Sequence, residues 1–384
     1  MIEPAELQRR FHDRFGRTAR VYRAPGRVNL IGEHTDYNDG FVLPAAIDLA
    51  TFVAAAPNGT RELRLHASDL REHATIDLDE PAPRPRRHWS DYPRGVALEL
   101  ARSGRRLPGA DLLVAGEIPL GAGLSSSAAL EVAVAWALLD LAGETPEPRE
   151  VALVCQRAEN EFVGARCGIM DQFTSCHGAA GHALLLDCRS LELRRVALPS
   201  GVALLVCDSG VKHALADGAY NQRRAECEAG VRLLARTRPE IRALRDVSEE
   251  DLERVGGELP AEVLRRCRHV VAENRRVLEA VAALEAGDLE RVGALLYASH
   301  ASLRDLYEVS CPELDALVEA ASGCRGVLGS RMMGGGFGGC TINLVRADAV
   351  DEVAKAIAER HRARHGVRPW IRACRAADGA GRVL

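Results

Sequence analysis

Residues Pro119-Leu120-Gly121-Ala122-Gly123-Leu124-Ser125-Ser126-Ser127-Ala128-Ala129-Leu130 lead directly into a largely apolar run, 132 to 142. Ala128, Ala129, Leu130, Val132, Ala133, Ala135, Trp136, Leu138 and Leu139 are mostly good helix formers at three- and four-residue spacing, so a helix with one apolar face is expected after the serines. Gly121 and Gly123 let backbone approach an anion with no Cβ in the way, and Ser125, Ser126 and Ser127 put hydroxyls at the first turn. A helix start adds unpaired N–H groups and the positive end of the macrodipole. The loop is therefore either a polyphosphate cradle or a serine-rich cap on a buried helix, for which one serine would do.

Apolar residues make up 47% of the 384 and charged residues 27%, a globular composition with room for about two domains. A formal charge of -4 offers no basic excess for nucleic acid. No run reaches the roughly 18 uncharged apolar residues that a membrane span needs. The start, Met1-Ile2-Glu3-Pro4-Ala5-Glu6, is acidic and lacks a signal-type apolar core, so a cytoplasmic enzyme is expected. The 11 cysteines begin at Cys155 and include no C-x-x-C pair, which points to buried free thiols. Of 50 basic residues only Lys212 and Lys355 are lysines. Neither follows glycine or sits in a Val-Ala-Ile-Lys context, which excludes a Walker A loop and the protein-kinase scheme.

In chain order, residues 6 to 16 read as an amphipathic helix and 19 to 24 as a strand. The segment 25 to 40 then gathers Arg27, Glu33, His34, Asp36 and Asp39, and the strand-like 41 to 47 follows. A polar cluster held between two strands suits a polyhydroxylated ligand, because ionised carboxylates accept from hydroxyls. Asn58-Gly59-Thr60 reads as a hairpin turn between strands at 51 to 56 and 62 to 66. Trp89 precedes a helix expected from Ser90 to about 103 and is either a core residue or a ring for nucleobase stacking. A strand at 111 to 118 feeds the glycine-serine loop. Residues 148 to 164 form another helix carrying Glu159, and Asp171 lies in a short loop as a candidate partly buried carboxylate.

Strands at 182 to 187 and 191 to 198 make a hairpin, and the domain boundary is expected near 199, giving domains 1–199 and 200–384. Residues 221 to 321 read as almost wholly helical. Gly334, Gly336 and Gly339 formally satisfy G-x-G-x-x-G, but the run enters strand-like 341 to 345 and not a helix, so it is no dinucleotide fingerprint. Such glycines let backbone approach a ligand or a neighbouring chain segment. His361 and His365, on a helix expected at 349 to 361 and its end, are either a shared metal pair or part of a solvated face.

Three of these stretches, 26 to 47, 119 to 129 and 334 to 341, together resemble the motifs of the GHMP small-molecule kinases. The first, Gly26-Arg27-Val28-Asn29-Leu30-Ile31-Gly32-Glu33-His34-Thr35-Asp36-Tyr37, resembles the galactokinase signature, and similarity continues through 167 to 173 and 220 to 228. Ala122 stands where a third glycine is common and Ala129 where a serine is common. The resemblance implies an α+β, two-domain fold with ATP and sugar in the cleft between domains, and a monomer that phosphorylates galactose at C1. It implies Asp36 at the hydroxyls around C3 and C4, Glu33 with His34 toward C6, and Tyr220 with the Gly168 backbone completing the pocket. Asp171 and Arg27 would meet at the anomeric hydroxyl, with Asp171 either a base kept ionised by Arg27 or an orienting group. ATP would sit on Gly121, Gly123, Ser125, Ser126 and Ser127 with Trp89 on adenine, and Mg2+ on Ser126 or Ser127 and Glu159. An N-acetylgalactosamine kinase and a non-catalytic galactose/ATP sensor are the alternatives.

Overall fold

The structure, a computed structural model, describes residues 2–81, 83–211 and 216–384, without the side chains of 216, 217, 255 and 256; Lys212 lies outside the described residues. The first half runs α1 (Pro4–Phe15), β1 (Arg20–Asn29), β2 (Phe41–Val42), β3 (Pro44–Pro57), β4 (Glu62–Ala67), β5 (Glu72–Asp77), α2 (Asp91–Arg102) and β6 (Ala110–Gly116). It continues through α3 (Ser126–Leu141), α4 (Pro148–Arg157), α5 (Met170–His177), β7 (His182–Asp187) and β8 (Leu193–Ala197). The second half runs β9 (Val202–Asp208), α6 (Ala216–Leu234), α7 (Glu249–Val255), α8 (Ala261–Ala286), α9 (Leu289–Ser302) and α10 (Pro312–Ser322). It closes with β10 (Val327–Met332), β11 (Cys340–Arg346), α11 (Val350–His365), β12 (Trp370–Cys374) and β13 (Gly381–Arg382).

A six-stranded sheet has the order β13-β1-β3-β6-β4-β5, antiparallel except for β4 beside β6. Strand β6 thus lies between β3 and β4, and Asn58-Gly59-Thr60 is not the turn of a hairpin. Six of the seven β6 residues are buried, as suits a strand paired on both edges, and this long-range pairing outcompetes the local one. The Asn58 side chain instead accepts from the Thr60 N–H at 3.0 Å in a tight local turn. The second half carries an antiparallel sheet of order β10-β11-β9-β12, and β2-β7-β8 form a third.

Helix α3 starts at Ser126 as expected, but it is not one-faced. From Ala128 to Leu139 all residues except Leu130 are buried, because α3 packs on β1 and β3 and under α2, α4 and α5. Ser90 occupies the N-cap of α2 without capping it; its hydroxyl meets His88 Nδ1 at 2.8 Å. The expected boundary falls in the turn between β8 and β9, and the chain end returns to the first sheet, where β13 pairs with β1. One apolar cluster joins Val28, Leu43 and Ile47 to Val277, Leu295 and Ile342, so the two halves share a core. All 11 cysteines are free. The His361 and His365 rings stack at 4.8 Å, and the described residues hold no group of three or more side chains suited to a metal. No described helix is long and apolar enough to cross a membrane.

Candidate active site

Strand β1 runs further than expected, to Asn29, so Arg27 sits on a strand. A register shift between Pro25 and Arg27 marks a bulge, a device that re-aims side chains. Arg27 is 5% exposed and grips Asp171 with two bonds, Nε to Oδ1 at 2.7 Å and Nη2 to Oδ2 at 2.8 Å. Its Nη1 donates to the Gly123 carbonyl at 2.6 Å, tying the pair to the glycine-serine loop. Asp171 is not in a loop: it is the second residue of α5, whose backbone fixes it. Ser125, left-handed at φ 59°, turns its hydroxyl to Asp171 Oδ2 at 2.5 Å and does not cap α3. Three of the roughly four acceptor positions of the carboxylate are therefore used, and one is left.

Gly121 and Gly123 take left-handed backbone (φ 74° and 75°) where the loop turns into α3. The Ser127 hydroxyl faces Glu159 Oε1 at 3.4 Å. Glu159 lies on a π-helical stretch, Ala158–Val163, that continues α4; one wide turn inside a helix redirects a side chain and is common at functional sites. The Gln172 amide donates to Glu159 Oε2 at 2.6 Å and to Glu131 Oε2 at 3.2 Å. Burial, then Asp171, pushes the Glu159 carboxyl up to about 7, and burial with Glu159 nearby pushes Glu131 well above its usual range.

On the opposite side, Asp36 opens a short 3₁₀ turn, Asp36–Asn38, and its Oδ1 accepts from the Tyr37 N–H at 3.0 Å. Burial, then the Asp171 charge, raises Asp36 to about 7. Residue 168 has to be glycine for this carboxylate to stay put, since a Cβ there would lie 2.0 Å from Asp36 Oδ2. Glu33, 2% exposed, accepts from the Gly334 N–H at 2.9 Å and lies 3.1 Å from Arg331 Nη2. Arg331 is fully buried and also donates to the Asn29 and Leu30 carbonyls. His34 holds left-handed backbone and is kept neutral, its proton affinity lowered chiefly by burial, with Tyr220 5.5 Å from its ring. Asp39 is not part of this group; it pairs with Arg189.

One cavity of about 590 Å³ joins these parts. Arg27, Glu33, His34, Asp36, Trp89, Gly121, Gly123, Ser125, Ser126, Ser127, Gly168, Asp171 and Tyr220 all line it, and Glu159 stands behind Ser127. Trp89 shares an apolar end with Leu70, Leu120 and Tyr92. The glycines at 334 to 336 also line it, and Gly336 (φ 83°) has no room for a Cβ, which would lie 2.3 Å from the Val309 carbonyl. The glycine motif therefore serves a neighbouring segment as well as the cavity. Sequence reasoning missed Arg331, Gln172 and Glu131. Arg331 lies inside β10, a strand for which no sequence expectation was formed, and the partners of the other two lie on other elements.

Three family models match the chain: the galactokinase galactose-binding signature at residues 9–57, the GHMP kinases N terminal domain at 91–179 and the GHMP kinases C terminal at 280–363. The chain is 52% identical over 390 residues to a galactokinase of Roseiflexus sp. (strain RS-1), covering 100% of this chain and 98% of that one. It is 49% identical to a galactokinase of Chloroflexus aurantiacus with the same coverages. Among solved structures it is similar to Lactococcus lactis galactokinase complexed with galactose, with a TM-score of 0.94, 35% identity and 99% of each chain covered. A Methanococcus jannaschii mevalonate kinase shares the fold at a TM-score of 0.68 and 19% identity.

Proposed function

The chain belongs to the GHMP kinase family, among its galactokinases, and we infer that it transfers the γ-phosphoryl group of ATP to the anomeric C1 hydroxyl of D-galactose, giving α-D-galactose 1-phosphate and ADP. One observation carries the chemistry: the Arg27–Asp171 pair bridges the glycine-serine loop and the carboxylate-lined end of a single cavity. An anion-binding loop and a hydroxyl-accepting pocket thus meet at one ion pair. The alternatives, an N-acetylgalactosamine kinase or a non-catalytic sensor, are not favoured by relatives that are themselves galactokinases.

Phosphoryl transfer asks for positioning and charge neutralisation more than covalent chemistry. In this reading the Gly121–Gly123 backbone and the α3 N–H groups hold the phosphates, and Trp89 stacks on adenine. Asp36, Glu33, His34, Tyr220 and the Gly168 backbone hold the sugar. Asp171 uses its one remaining acceptor position to take the C1 hydroxyl proton, and Arg27 keeps the carboxylate in place. Glu159 with Ser127 or Ser126 would hold a magnesium ion: the Ser127 hydroxyl lies 3.4 Å from the buried Glu159 carboxyl, oxygen donors of the kind the ion takes, and Ser126 lines the same cavity. Bound there, the ion would neutralise phosphate charge, with the remaining ligands coming from ATP and water. The enzyme is read as a cytoplasmic monomer.

A coupled ADP-release assay with galactose, glucose and N-acetylgalactosamine tests this. Asp36 reads the axial C4 hydroxyl, so glucose is expected to lose ~10⁴ in kcat/KM. Comparable values for glucose and galactose would overturn the Asp36 assignment, and a preference for N-acetylgalactosamine would overturn the substrate.

A further inference from the structure

A chain of hydrogen bonds unconnected with the phosphate chemistry runs from the sugar end of the cavity into the helical half. His34 Nδ1 lies 2.7 Å from the Tyr37 hydroxyl, that hydroxyl lies 2.8 Å from the Tyr307 hydroxyl, and Tyr307 lies 3.1 Å from Cys227 Sγ. Tyr37 belongs to the turn after β1. Tyr307 ends a π-helical stretch after α9, Leu303–Tyr307, and Cys227 is on α6, so the chain spans both halves. Tyr307 is fully buried, and its ring lies 4.6 Å from that of His34. The other imidazole nitrogen, Nε2, is buried and makes no hydrogen bond of good geometry, although the Gly335 backbone also acts on the ring, and His34 and Gly335 both line the cavity. A buried ring nitrogen without a well-formed bond, on a ligand pocket, is open to a ligand group.

Its chemistry depends on the direction of the chain. A neutral imidazole carries one proton, so when one ring nitrogen accepts a hydrogen bond the other donates. Phenol is a better donor than acceptor and imidazole nitrogen a strong acceptor, so the favourable arrangement has Tyr37 O–H donating to Nδ1. Tyr307 then donates to the Tyr37 oxygen, and the Cys227 thiol to Tyr307. The reverse order would end on sulfur, a weak acceptor. We propose that Tyr37 and Tyr307 are positioning residues that hold His34 as the Nε2–H tautomer, so that it presents a donor to a sugar hydroxyl in a pocket otherwise rich in carboxylate acceptors. Both phenols are pushed up by burial and stay protonated, and His34 stays neutral, as the chain requires. The idea deepens the galactose reading and rests on it for the identity of the hydroxyl. It also explains why the turn carries tyrosine, since a phenylalanine would fill the same space without donating.

The test is ¹⁵N NMR of histidine-labelled enzyme, with the His34 signals assigned by their loss in His34→Gln, together with steady-state kinetics. Wild type is expected to show a pyridine-type Nδ1 and a pyrrole-type Nε2. Tyr37→Phe should move both shifts toward a mixture of tautomers and raise KM for galactose about tenfold, with kcat within about threefold and KM for ATP unchanged; Tyr307→Phe should do the same about threefold. A proton on Nδ1 in wild type overturns the proposal, as does Tyr37→Phe with unaltered His34 shifts and galactose KM. Equal losses for galactose and ATP would mark Tyr37 as merely structural and also overturn it. If wild type fails to phosphorylate galactose, the function is refuted while the NMR of the wild type alone still decides the tautomer.

Discussion

Replacing Asp36 by asparagine should make the free protein more stable while removing its grip on galactose. In the folded chain, burial and the Asp171 charge hold this carboxyl at about 7 against an ordinary 3.8. Below pH 4 both folded and unfolded chains are protonated there and the group contributes nothing to the balance. Between 4 and 7 the unfolded chain gives up the proton that the folded chain keeps, so stability falls as pH rises, and above 7 the cost is constant. At about 1.4 kcal/mol per pKa unit, this carboxyl costs up to about 4 kcal/mol at pH 8, where it is ionised, and about 2 kcal/mol at pH 5, where the folded chain holds its proton and the unfolded chain does not. Asparagine cannot ionise, and its oxygen can still accept from the Tyr37 N–H. Chemical denaturation of wild type and Asp36→Asn without sugar at pH 5 and pH 8 measures the difference. The variant should be more stable, with roughly twice the advantage at pH 8. An advantage that is equal at the two pH values, or a variant less stable at pH 8, would refute the reasoning.

The same carboxyl predicts a pH dependence of binding: sugar hydroxyls donate to its ionised form, so KM for galactose should rise by up to about tenfold per unit as pH falls below 7. A flat KM between pH 5.5 and 7.5 would contradict this. Asp171→Asn, with binding of both substrates verified by calorimetry, should lower kcat by ~10²–10⁴; a loss under about tenfold would leave Asp171 an orienting group. Gly168→Ala puts a Cβ 2.0 Å from Asp36 Oδ2, and an ordinary contact needs the carboxylate to move by more than about 1 Å. Galactose KM should rise ~10²-fold with ATP KM unchanged; an unchanged galactose KM would show that Asp36 does not hold the sugar.

Much of the cavity was legible because its residues fall in short contiguous motifs. Gly121 to Ser127 and Arg27 to Asp36 carry their chemistry in residue type and spacing, and both reach the cavity. What could not be read was their setting. Arg27 looked like a loop residue because the polar segment hides the continuation of β1, and Asp171 because the first turn of a short helix has too few residues to show a period. Ser125 reads as a phosphate ligand or cap in sequence, yet its left-handed backbone gives its hydroxyl to Asp171. The turn at Asn58 misled for another reason: local turn chemistry is the same whether the next strand pairs beside the last or one position further along.

The sequence by itself determined the family, the glycine-serine loop and the set of polar groups that line the cavity, since these depend on which atoms short segments can present. Only the tertiary structure decided how those groups are charged and held. Asp36 and Glu159 near 7, Glu33 locked between Arg331 and Gly334, and the hydrogen-bond chain from His34 to Cys227 all depend on burial and on partners more than 100 residues away in the chain or on other elements. Desolvation and Coulomb coupling act through space, and the space is set by how β1, α3, α5, β10 and the helical half pack around one cavity.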